Sequence, residues 1–165
     1  MLKKSELLVL IFILNGCSGM KVANEMRGKY EPTVVAVSST PEETTEKIKH
    51  FLKKCYDRFT ATTSTNEYGG SSVMHTGIKS FYQLNEEDNS YEIQVRSIAK
   101  KPPILRTDGH IYSLVDVSPS SPGSKVSIYG YGKNYLTSFP EKLLNGYKIV
   151  LGKMDGVPHC PNISK

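Results

Sequence analysis

Tryptophan is absent from the 165 residues, and cysteine occurs only three times. Three cysteines are too few for a disulfide-dense mini-scaffold. Charged residues make up 22% of the chain and hydrophobic ones 38%. That balance excludes a disordered acidic or basic tail as the whole protein. Mean hydropathy is −0.34, too low for a multi-span membrane protein. Catalytic signatures are equally scarce. There is no His-x-x-x-His, no Cys-x-x-Cys, no Gly-x-Ser-x-Gly elbow and no phosphate-binding Gly-rich loop. His50, His75, His110 and His159 stand apart, without metal-ligand spacing. Gly130-Tyr131-Gly132-Lys133 and Tyr68-Gly69-Gly70 read as glycine turns. Glu86, Glu87 and Asp88 read as a solvated turn, not a calcium loop. The expectation is therefore no metal, no cofactor and no catalytic residue. No dense Lys/Arg block interleaves with aromatics, so nucleic acid is not an expected partner.

What the sequence does contain begins at its start. Lys3 and Lys4 precede an unbroken apolar run over 7–14. Eight helical residues span about 12 Å, short of the ~30 Å hydrocarbon core. The run fits the apolar region of a signal peptide instead. It ends in Leu14-Asn15-Gly16-Cys17. This tetrad resembles the lipobox of bacterial lipoproteins. The resemblance covers about a tenth of the chain, and Glu6 and Asn15 depart mildly from the usual pattern. It implies cleavage between Gly16 and Cys17, with Cys17 diacylated on sulfur as the new N-terminus. Acyl chains contribute about 0.8 kcal/mol per buried CH₂, so two or three make a stable anchor. The alternative is an ordinary secretory signal followed by an incidental cysteine. Ser18 stands where aspartate would retain an enteric lipoprotein in the inner membrane, so the resemblance favours the outer membrane, facing the periplasm. The polar stretch 17–32 reads as a lipidated tether, and residues 33–165 as one domain. Removing residues 1–16 takes away Lys3, Lys4 and Glu6, lowering the formal charge from +5 to +4.

With Cys17 given to lipid, Cys55 and Cys160 remain. In an oxidising compartment they are expected to pair, closing a loop of about 105 residues. The chain-entropy model assigns such a closure about 4–5 kcal/mol. Two free thiols are the alternative, with His159 beside Cys160.

The domain itself reads as α+β. Residues 33–37 are β-rich. Thr40, Pro41 and Glu43 make a capping box with proline at the first helical position, and Ile48, Phe51, Leu52, Cys55 and Phe59 recur at helical spacing. A helix is expected over 41–58. The Thr- and Gly-rich stretch 60–72 reads as a surface connection. Stretches 78–84 and 91–98 read as a hairpin, with Tyr91, Ile93 and Val95 on one face and Glu92, Gln94 and Arg96 on the other. A second hairpin joins 109–117 to 125–131 through a Ser/Pro/Gly turn. In it Ile111, Ser113, Val115 and Val117 are expected to share one side. A short helix follows, capped by Ser138, with Pro140 in its first turn and Asn145-Gly146 at its end. A last strand is expected over 147–151. The expected architecture is an antiparallel sheet of four or more strands packed on one N-terminal helix, with a short second helix near the C-terminus.

If Val126 and Ile128 face that helix, Tyr129 and Tyr131 face the other way. They are the candidate partner surface, for an envelope protein. Ordinary cross-strand tyrosine pairing is the competing explanation. Function is thus expected to be a membrane-anchored, non-enzymatic binding or structural module. The alternatives are a lipid-anchored hydrolase with dispersed residues, or a carrier holding a small apolar ligand between helix and sheet.

Overall fold

The computed structural model describes residues 22–65, 71–101, 104–106, 109–130 and 139–160. The protein is α+β. Its helices are α1 (Ala23–Lys29), α2 (Pro41–Cys55) and α3 (Phe139–Val150). Its strands are β1 (Thr33–Val37), β2 (Arg58–Thr65), β3 (Ser71–Asn85), β4 (Ser90–Lys101), β5 (Ile104–Arg106), β6 (Ile111–Pro119) and β7 (Ser124–Gly130). They form one antiparallel sheet in the order β1-β7-β6-β4-β3-β2, with β5 on β4. Helices α2 and α3 cover one face; α1 lies on the other.

The start of α2 follows from its sequence. The Thr40 hydroxyl accepts the Glu43 N–H at 3.2 Å, and the Glu43 carboxylate accepts the Thr40 N–H at 3.2 Å. Glu42 and Glu43 lie in the first turn, Lys53 and Lys54 in the last, both matching the helix dipole. Ile48, Phe51, Leu52 and Cys55 form the buried stripe. They press on the inward residues of alternate strand positions: Val35 and Val37, Ile93 and Val95, Val115 and Val117, Val126 and Ile128. The helix ends at Cys55, three residues before the expected 58, because Tyr56 caps it and Arg58 already pairs with Ile78 in β3.

Five expectations are corrected. The stretch 60–72 is not a surface connection throughout: 60–65 continues β2, which pairs with β3 from Arg58↔Ile78 to Thr65↔Ser71, while 66–70 lie outside the described residues. β-Branched threonine suits a pleated ladder as well as a loop. The stretch 17–32 is not a tether throughout, since Ala23–Lys29 is a helix docked on the sheet. Asn145-Gly146 does not end α3, which runs on to Val150, so no strand forms at 147–151. Ile111 does not share a side with Val115. Val95 pairs with Ser113 but Arg96 with Ile111, leaving Tyr112 as an extra residue. That bulge turns Ile111 to the opposite face, beside Leu114. The acidic turn 86–89 joins β3 to β4 as expected, but those strands reach further than 78–84 and 91–98.

Gly146 is internal to α3 for a packing reason. A Cβ there would lie 2.2 Å from Cζ of Phe51. The missing side chain lets α3 approach α2, and Phe51 packs edge-on against Tyr147 at 5.8 Å and Tyr56 at 5.4 Å. Gly123 serves a turn instead: its φ is +93° and a Cβ would meet the Val37 carbonyl oxygen at 2.2 Å.

Two outcomes follow. Gly146→Ala is expected to lower unfolding free energy by about 1–3 kcal/mol through overpacking, outweighing the ~1 kcal/mol helical gain of alanine; urea denaturation checks it. Burial also pushes the Tyr56 and Tyr82 phenols up to about 12, against about 10 in an unfolded chain. The folded state therefore keeps these protons where the unfolded state loses them. Their contribution to stability is complete below pH 10 and disappears as pH rises toward 12. The urea midpoint is expected to fall across that window, with delayed phenolate absorbance.

Candidate functional site

Among the described residues, two places combine exposure with polar chemistry. The first is the outer sheet face beneath α1. Glu92 of β4 and Asp116 of β6 are directly opposite in register. Like charges in that position repel. Arg27 resolves the conflict. Its Nε donates to Asp116 Oδ2 at 2.8 Å, and its Nη2 donates to Asp116 Oδ1 at 2.6 Å and to Glu92 Oε2 at 2.5 Å. Nη1 donates to Asn24 at 2.9 Å. Bidentate pairing of this kind gives direction as well as energy. The Asp116 bonds, reinforced by Glu92, hold the guanidinium even more firmly protonated than a free arginine, against partial burial. The ladder continues along β4: Gln94 donates to Glu92, and Arg96 donates to Gln94 at 2.5 Å.

Beside this polar row lies a small apolar cluster. Met26 and Ala23 of α1 meet Ile111 and Leu114, with Tyr30 and Tyr129 at the margin. Tyr129 does point away from Val126 and Ile128, as its alternation requires. It is half-buried there. It packs against the cluster that α1 covers, and desolvation, then the Asp116 carboxylate, raises its phenol above the ordinary value. The chain's own N-terminal helix occupies the face that the alternation left open. Tyr131 lies outside the described residues, as do Gly16 and Cys17.

The second place is a groove of about 900 Å³ along the outer flank of α2. Phe51, Val150, Val157, Pro158 and the disulfide form its apolar wall; Glu43, Glu46, Lys47, His50 and Lys54 form a rim of both charge signs. Cys55 and Cys160 are bonded, with Cα atoms 4.5 Å apart. The Tyr56 hydroxyl donates to the His159 carbonyl oxygen at 3.3 Å and secures the same tail. The oxidised sulfurs have no thiolate to offer, so His159 has no thiol partner here.

The remaining candidates are distributed. His50 is exposed on α2, and His110 is exposed just before β6. Asp88 Oδ1 accepts from Ser90 N–H and Oγ–H, closing its own turn. Ser80 is 4% exposed, and its hydroxyl donates to Asp57 at 2.6 Å while accepting from Tyr82 at 2.7 Å. A serine so enclosed ties β3 to the chain following α2; it presents no nucleophile to solvent. Among the described residues no group of three His, Cys, Asp or Glu side chains converges as metal ligands would.

Sequence reasoning missed Arg27, and treated Glu92 as part of a plainly solvated face. Only the strand order places Asp116 opposite it, so no local signal could have found the triad. No family model, curated protein or solved structure matches this chain.

Arg27→Met would leave Glu92 and Asp116 facing each other. The side chains are partly exposed, at 33%, 21% and 27%, so the expected loss is about 1–2 kcal/mol, below that of a buried pair. Amide exchange over 23–30 is expected to accelerate most. Adding Glu92→Gln to that variant is expected to recover part of the loss, which a double-mutant cycle measures.

Proposed function

We propose that this protein is a lipid-anchored bacterial envelope module that works by binding, with Cys17 as the acylated N-terminus. One observation carries this reading. The structure joins Cys55 to Cys160, which leaves Cys17 as the odd cysteine, standing directly after the apolar run 7–14 and Leu14-Asn15-Gly16. A disulfide spanning 105 residues suits an oxidising compartment outside the cytoplasm. Among the described residues no helix is long and apolar enough to cross a membrane; in this reading the lipid supplies the attachment. Ser18 favours the outer membrane, facing the periplasm.

Binding is preferred to catalysis because the polar clusters described above are committed to structure. Arg27 is shared between Glu92 and Asp116, and Ser80 is closed in by Asp57 and Tyr82. The space between helices and sheet is filled by Ile48, Leu52, Leu143 and Tyr147, each 0–1% exposed. That packing speaks against an apolar ligand held between helix and sheet. The α2 groove, with an apolar wall and mixed-charge rim, is the surface best suited to an envelope protein partner.

Intact-mass analysis of protein extracted from the membrane fraction is expected to show loss of residues 1–16 and gain of an acyl-glyceryl group. Cys17→Ser is expected to abolish both. A Cys17→Ser protein that stays membrane-bound and is processed normally would refute the anchor.

A further inference from the structure

We infer that β1 is a pairing edge, at which a second copy of this chain adds its own β1 antiparallel and continues the sheet across a two-fold axis. β1 stands at one end of the strand order, and among the described residues β7 is its only strand partner. Along its other side the described residues supply no ladder for the backbone N–H and C=O groups. Such an edge is a template for a further strand. Helix α2 lies over β3, β4, β6 and β7, α3 over β7 and α1 over β6. The helical layers are thus centred away from this edge.

The residues of β1 leave that edge undefended. Natural edge strands are blunted by lysine, proline, a bulge or an inward-pointing charge. Thr33-Val34-Val35-Ala36-Val37 has no charge, no proline and no glycine. Its pairing with β7 runs from Thr33↔Ile128 to Val37↔Ser124 without a register shift. Val34 is 55% exposed and Ala36 is exposed, whereas Val35 and Val37 belong to the core. Four of the five side chains are β-branched, which suits a pleated ladder.

The strand is also complementary to itself. A two-fold axis through Val35 sets Val35 against its own copy, Val34 against Ala36 of the second copy, and Thr33 against its Val37. Core-facing residues then meet core-facing residues, and outward residues meet outward ones. No like charges oppose each other, because Glu31 falls opposite Ser39. Pro32, which has no N–H, falls opposite Ser38 and limits the ladder to β1 itself. Two five-residue strands bury far less than the ~800 Å² per partner of a standard interface. Pairing is therefore weak in dilute protein and grows with its density. The two-fold arrangement closes at two copies and does not propagate. The inference stands on β1 alone and requires neither acylation of Cys17 nor a partner in the α2 groove.

The test uses the full chain purified in a mild detergent, with micelles always in excess over protein. Amide exchange over 33–37 is expected to slow several-fold as protein concentration rises about 100-fold, with no change over 43–55, while the sedimenting mass approaches two copies. Exchange over 33–37 that ignores concentration, concentration-dependent protection only in other segments, or growth beyond two copies would each overturn the inference. Protection at every concentration with the mass of one copy assigns the edge to another segment of the same chain and overturns it too. Val34→Glu with Ala36→Glu places carboxylates directly opposite each other in the pair and is expected to abolish the concentration dependence. Within one chain Ala36 lies beside Lys125, so the fold is expected to hold, which the urea midpoint checks. Val34→Lys with Ala36→Lys is expected to abolish the dependence as well. Mixing the two variants sets glutamate opposite lysine and is expected to restore the protection. Protection retained in either variant alone, or no recovery in a mixture of folded variants, rejects the self-pairing. Should a variant unfold, the concentration series on the unaltered chain decides by itself.

Discussion

Phe51 holds the helical layer of this protein together. Its ring meets Tyr56 and Tyr147 edge-on and occupies the space where Gly146 lacks a side chain. Four residues on, Cys55 is tied to Cys160. One turn of α2 thereby fixes its own C-terminus, the approach of α3 and the returning tail. The groove on the outer flank of α2 exists because that tail is pinned there. Its wall is built from Phe51, the disulfide and the tail residues Val157 and Pro158.

The two sheet faces are stabilised by different physics. The inner face is a continuous apolar layer, in which alternate valines and isoleucines of four strands meet α2 and α3. Its strength scales with area removed from water. The outer face has a smaller apolar cluster and depends on one cation placed over two facing carboxylates. A seven-residue helix is too short to persist alone, and α1 has no side-chain cap at its N-terminus. Its order comes from docking. Helix α1 is therefore held in a geometry set by the sheet.

Legibility in the sequence followed the range of the forces involved. The capping box of α2, its apolar stripe, the acidic hairpin turn and the pairing of Cys55 with Cys160 could be read because each rests on neighbours in sequence or on cysteine count. The run of β2 was obscured because Thr60, Thr62, Thr63 and Thr65 suit a loop as well as a ladder. The continuation of α3 was obscured because glycine ordinarily ends helices, and only the position of Phe51 makes its small size useful at 146.

The sequence by itself determined the α+β class, the inward face of β7 and the pairing of Cys55 with Cys160, since alternation, helical spacing and thiol count are local properties. Tertiary structure alone decided that Tyr129 packs at the margin of the α1 cluster, that Glu92 faces Asp116 and that Arg27 lies between them. It also decided that Ile111 turns outward through the bulge at Tyr112. Each of these depends on strand order and register, which bring together residues as distant in sequence as Arg27 and Asp116, 89 positions apart. Burial and Coulomb energy depend on distance in space, and no spacing along the chain encodes that distance.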